Sequence, residues 1–204
     1  HAEASGRPRR GDLLRRHEAI ATMDLFLAEA AGTAILILFG NGVVANVLLN
    51  KTAGNGGGWI CITAGWAFAV TFGIFVAQAF GSAGAHLNPA VTLAFAVLDS
   101  NFEQVIPFIT AQLLGAFLGG TLVWIYFRPH WAPTSDASAK LACFSTSPAI
   151  HSPKDNFTSE FLGTCVLILG VYAIGKTADM PAGIGPYIVG FLGWSIGLSL
   201  GGTT

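Results

Sequence analysis

Five apolar runs, at residues 25–49, 59–80, 104–127, 157–175 and 183–202, constrain this chain more than any other feature. Each approaches the ~20 residues that a helix needs to cross ~30 Å of hydrocarbon. Only 10% of the residues are charged, against ~25% in an ordinary soluble domain, so the chain cannot clothe a globule of this size in polar groups. Glycine, at 26 residues, suits packed membrane helices, whose backbones approach closely over small side chains. The expected class is an all-α integral membrane protein lying in a lipid bilayer. The net charge of −1 leaves no electrostatic footprint for nucleic acid.

Between the second and third runs stands GAHLNPAVTLA, residues 84–94. Asparagine is among the best helix caps, and proline suits the first helical position, where its missing N–H costs nothing. Asn88 and Pro89 therefore start a helix that spans 88–98 and reaches ~16 Å, about half a bilayer. Its approach, AQAFGSAGAH, is non-helical in character, and irregular backbone at that depth survives only inside protein or along a water-filled cavity. The piece reads as a re-entrant half-helix. Its amino end carries a partial positive charge at the bilayer centre, beside an amide able to donate to a passing water or alcohol oxygen.

An internal repeat organises the whole. AEAAGTAILIL at 28–38 and SEFLGTCVLIL at 159–169 place Glu29 with Glu160, Gly32 with Gly163 and Thr33 with Thr164. With three full spans in the first unit, the second begins on the opposite face, which makes an inverted repeat. Residues 23–127 form the first unit, 128–156 a long loop and 157–204 an incomplete second unit. After IGLSLGGTT the counterpart half-helix and a sixth span would follow. Residues 1–22, with five arginines and no long apolar run, read as a mobile or non-native extension before Met23.

GAHLNPAVT, the repeated AEAAGT/SEFLGT and the ending GLSLGGTT resemble the major intrinsic proteins, the aquaporins and glycerol facilitators. GWAFAVTFGIFVA and VIPFITAQLLGAF carry the likeness toward bacterial glycerol facilitators. The resemblance implies an aquaporin-like fold of five full transmembrane helices plus one half-helix in this chain, in a multi-pass protein of the cell membrane. It implies a homotetramer with one pore per subunit, conducting glycerol and other small neutral solutes with water as co-permeant. Asn88, Pro89 and Ala90 would then be the pore motif, and Gly84, Ala85, His86 and Leu87 would offer carbonyls to the solute. The selectivity filter falls on Trp66 by local pattern, or on Phe68 by counting back from Asn88; the extra residues in AFGSAGAH favour Trp66. Its partner on the fifth span is Gly197. Both chain ends would lie inside and 128–156 outside. Arginine and lysine do not fix this alone: Arg7, Arg9, Arg10, Arg15, Arg16 and Lys176 would be inside, against Lys51, Arg128, Lys140 and Lys154 outside.

Other polar residues have plainer expectations. Glu29 and Glu160 would be buried acceptors for the strands that lead to each half-helix, His86 a brace for its strand, and Gln112 an interhelical hydrogen-bonding group. Gly32, Gly115, Gly119, Gly163, Gly190 and Gly193 read as close helix contacts. Cys61, Cys143 and Cys165 lack metal-ligand spacing, two of them reading as small core residues within apolar runs, and no cofactor is implied. Asn50-Lys-Thr52 and Asn156-Phe-Thr158 match a glycosylation triplet that is common by chance. Competing functions are a channel for water, lactic acid, urea or hydrogen peroxide, a proton-coupled transporter using Glu29, a non-conducting truncated channel, a junction or scaffold protein with a closed pore, or a membrane-embedded enzyme. The last finds no HExxH and no paired carboxylates in a shared segment.

Overall fold

The structure is a computed structural model describing residues 10–177, 180–181 and 183–203, with side chains described from residue 22 onward. Among the described residues eight helices follow one another: α1 Arg10–Leu48, α2 Gly58–Ala79, α3 Pro89–Leu98, α4 Val105–Tyr126, α5 Arg128–Trp131, α6 Ala137–Ala142, α7 Pro153–Lys176 and α8 Gly185–Ser199. Four contain segments long and apolar enough to cross a membrane: Thr22–Leu48 within α1, then α2, α4 and α7. The half-helix is α3, 10 residues long.

Two boundaries differ from the sequence reading. The backbone of α1 is helical from Arg10, so the second half of the supposed mobile extension continues the first span. Residues 1–9 lie outside the described residues. The fifth apolar run gives only the 15 residues of α8, about 22 Å of helix. Pro186 sits in its first turn, and Gly201 and Gly202 follow its last, so proline and glycine trim the run at both ends.

Small residues set the packing. A Cβ on Gly115 of α4 would run into the Ala30 carbonyl of α1, and one on Gly119 would lie 2.5 Å from the Ala34 carbonyl. Gly190 of α8 abuts Thr71 and the Ala67 carbonyl of α2, and a Cβ on Gly32 of α1 would lie 2.8 Å from the Gly73 carbonyl of α2. Such approaches replace the hydrophobic drive that lipid removes. Gly163 and Gly193 are corrections: a Cβ at either meets nothing within 4 Å among the described residues.

Beyond the spans, α6 closes over α1. Cys143 packs with Ala45, Leu49 and Val123 in a buried cluster, while Cys165, expected to be a core residue, is exposed on α7. The Asn50 N–H donates to Thr134 Oγ1 at 2.8 Å and its amide to the Pro133 carbonyl at 3.1 Å, tying the end of α1 to the loop after α5. Asn156 is likewise committed, accepting from the Ser152 N–H and donating to the Ile150 carbonyl.

Candidate functional site: a half-helix opening into a cavity

The segment between α2 and α3 is held from behind by one carboxylate. Glu29, wholly buried on α1, accepts from Ser82 Oγ and the His86 N–H at Oε1, both at 2.9 Å. Its Oε2 accepts from the Leu87 N–H at 2.8 Å and from Gln112 Nε2 at 2.9 Å. Ser82 Oγ in turn accepts the Ala85 N–H at 3.2 Å. In a trans peptide the C=O points opposite to the following N–H. The carbonyls of Ala85 and His86 are therefore turned away from Glu29 and that of Gly84 away from the Ser82 hydroxyl, and among the described residues no donor is bonded to them. Ala85 and Leu87 adopt φ of +41° and +51°, a region costly for residues with a Cβ. That strain is what aims successive carbonyls the same way.

At the end of this strand Asn88 caps α3. Its Oδ1 accepts from the Ala90 N–H at 2.8 Å and the Val91 N–H at 3.4 Å, with Pro89 following at the first helical position. The cap uses only the oxygen. Among the described residues Nδ2 has no partner, so both amide hydrogens remain available beside the positive end of the helix.

A polar cluster orients these parts. Thr92 Oγ1 donates to the Asn88 carbonyl at 3.1 Å and accepts from Gln112 Nε2 at 3.0 Å. His86 Nδ1 lies 3.2 Å from the same hydroxyl, which ties the imidazole to the cluster. Its ring stacks on Phe95 and meets the edge of Phe108, at centroid distances of 5.5 and 5.3 Å.

The strand and the Asn88 amide line a cavity of about 1100 Å³. A second cavity, of about 1200 Å³, adjoins it, and Trp59, Trp66, Gly193 and Ile196 line both. Trp66 stands at the junction, pressed against Gly40 of α1, where a Cβ would collide with the indole. Phe68, the rival filter position, is 57% exposed and lines neither cavity. Gly197 lines the second cavity alone, close to Thr63 of α2. Glu29 lines no part of either cavity, its oxygens being occupied. Glu160 corrects the symmetry argument: it is exposed and faces the first cavity, with no hydrogen bond among the described residues. Nothing described folds over it as the strand 80–88 folds over Glu29.

Sequence reading did not single out Ser82, Thr92 or Trp59. Thr92 carried a signal, one helical turn beyond Asn88 on the same face. Ser82 did not, because its partner lies 53 residues away.

Residues 16–204 match the family model described as MIP: Major intrinsic protein. The chain is 48% identical over 185 residues to the probable glycerol uptake facilitator protein of Thermotoga maritima, covering 89% of this chain and 77% of the relative. It is 50% identical over 183 residues to the glycerol uptake facilitator protein of Streptococcus pneumoniae, with 89% and 77% covered. Among solved structures, the aquaglyceroporin from Plasmodium falciparum aligns with a TM-score of 0.77 at 26% identity, over 89% of this chain and 74% of that one.

Proposed function

The chain belongs to the major intrinsic protein family, and on that premise we propose that it is a passive transmembrane channel for glycerol and other small neutral solutes, with water as co-permeant. The observation that carries the reading is the pairing of unbonded groups on one cavity wall. The Gly84, Ala85 and His86 carbonyls accept, the Asn88 amide donates, and the apolar part of the lining includes Leu36, Ile37 and Val189. A polyol has this two-sidedness, with hydroxyls that donate and accept along one edge of a carbon backbone. A cation meets the positive end of α3 and is disfavoured at that depth.

Trp66 and Gly197 form the narrowing that selects the solute in this reading. The indole offers an apolar face, and glycine leaves room for carbon. The side chains of His86, Gln112 and Glu29 are structural: they hold the strand and take no part in passage. No bond is made or broken, and no cofactor enters. The subunit assembles as a homotetramer with one pore each, which the mass of the detergent-solubilised complex tests.

Uptake of radiolabelled glycerol into vesicles carrying the protein tests the passive character. Uptake rises linearly with glycerol concentration and does not respond to an imposed proton gradient. Saturable uptake that follows the proton gradient contradicts a channel and restores the coupled transporter.

A further inference from the structure

Two indoles cross between α2 and α8 in opposite directions beside the narrowing. Trp59, in the first turn of α2, donates from Nε1 to the Gly197 carbonyl of α8 at 3.0 Å. Trp194 of α8 donates from Nε1 to Thr63 Oγ1 of α2 at 3.2 Å. Thr63 Oγ1 shares its one hydrogen between the Trp59 carbonyl at 3.1 Å and the Ile60 carbonyl at 3.2 Å, so the second bond ends on the helical turn that carries the first indole.

The accepting carbonyl is one that the helix itself leaves open. The last four carbonyls of a helix lack intrahelical partners. Gly197 is among them: the Gly201 N–H, which would serve it in a continuing helix, bonds the Ile196 carbonyl at 3.0 Å instead. The Leu200 N–H also goes to Ile196, at 2.7 Å. Trp59 thus caps the end of α8 from another helix, at the residue with no side chain of its own to hold it in place. A Cβ at Gly197 would lie 3.0 Å from Thr63 Cγ2, one turn along α2 from Trp59, so the glycine sits close against α2 beside the indole donor.

We propose that Trp59 and Trp194 are positioning residues for solute selection, a reciprocal clamp that fixes how far Gly197 stands from Trp66. The inference rests on the reading of Trp66 and Gly197 as the narrowing. Without the Trp59 N–H the Gly197 carbonyl must find another donor, and the end of α8 is free to move away from α2. The gap opposite Trp66 then widens, and a bulkier polyol gains more than glycerol does.

The test is the ratio of erythritol to glycerol permeability in vesicles, normalised to the amount of protein inserted, for wild type, Trp59→Phe and Trp194→Phe. Phenylalanine keeps an aromatic ring and removes the N–H donor. The ratio rises about two- to tenfold in Trp59→Phe, the rate equivalent of one lost hydrogen bond, and moves the same way in Trp194→Phe. A role in folding alone lowers inserted protein and both permeabilities together, leaving the ratio unchanged, and that result overturns the proposal. Where Trp59→Phe does not insert, Trp194→Phe decides alone by the same ratio. A wild-type protein that conducts neither solute overturns the site reading itself, and the clamp's role in selection with it. The wild-type measurement therefore separates the two failures.

Discussion

Glu29 Oε2 accepts the Leu87 N–H at 2.8 Å, joining the first span to the residue just before the half-helix. The same carboxylate serves Ser82, His86 and Gln112, so one side chain holds the strand, its turn and the neighbouring helix. Glu29→Ala orphans these buried donors at about 1–3 kcal/mol each. Little folded protein is expected. Glu29→Gln keeps one acceptor oxygen but turns an NH2 group toward another donor, so it lowers the midpoint of thermal unfolding in detergent. An unchanged midpoint in both variants contradicts the assigned role.

In the proposed channel Asn88 has two tasks for two atoms, Oδ1 capping α3 and Nδ2 donating to the solute. Serine also caps helices well, so Asn88→Ser retains the start of α3, whereas Asn88→Ala loses a cap worth about 1 kcal/mol. Neither keeps the amide donor. Thermal midpoints therefore separate serine from alanine, while glycerol flux falls in both, by about tenfold for one lost hydrogen bond to the passing solute. Flux that tracks stability instead would assign Asn88 to capping alone.

The glycines divide by what they touch. Gly115→Ala places a methyl group into the Ala30 carbonyl and forces α4 from α1, an overpacking cost of about 1–3 kcal/mol. Gly42→Ala meets nothing within 4 Å and gains about 1 kcal/mol of helix propensity. Thermal unfolding of the two variants should shift in opposite directions.

Cys143 lies outside the spans, in the segment that closes over α1. Burial pushes its thiol up from 9.0 to about 11. The protonated form is the one favoured by folding, so this contribution to stability is complete below pH 9 and fades as pH rises toward 11. At pH 8 the thiol is neutral and buried, and a maleimide probe should leave it unlabelled in the folded protein. Prompt labelling at pH 8 contradicts that placement.

What could be read in advance was local or repeated. The capping pair Asn88-Pro89 carries its geometry in two adjacent residues, and α3 starts where that pair demands. The AEAAGT repeat drew attention to Glu29, whose burial comes from the strand that folds over it, while nothing described folds over Glu160. Choosing Trp66 over Phe68 needed the length of AFGSAGAH; the fold separates them by direction, one indole at the cavity junction and one ring exposed. Ser82 and the Trp59 bond to Gly197 were invisible, since their partners lie 53 and 138 residues away. The shortness of α8 was encoded in Pro186 and in the Gly201-Gly202 pair, yet the apolar character of the flanking residues masked it.

The most direct test of the central claim is stopped-flow light scattering of vesicles carrying this protein, transferred into hyperosmotic glycerol. The account predicts reswelling many times faster than in protein-free vesicles of the same lipid. Reswelling no faster than in protein-free vesicles would contradict it.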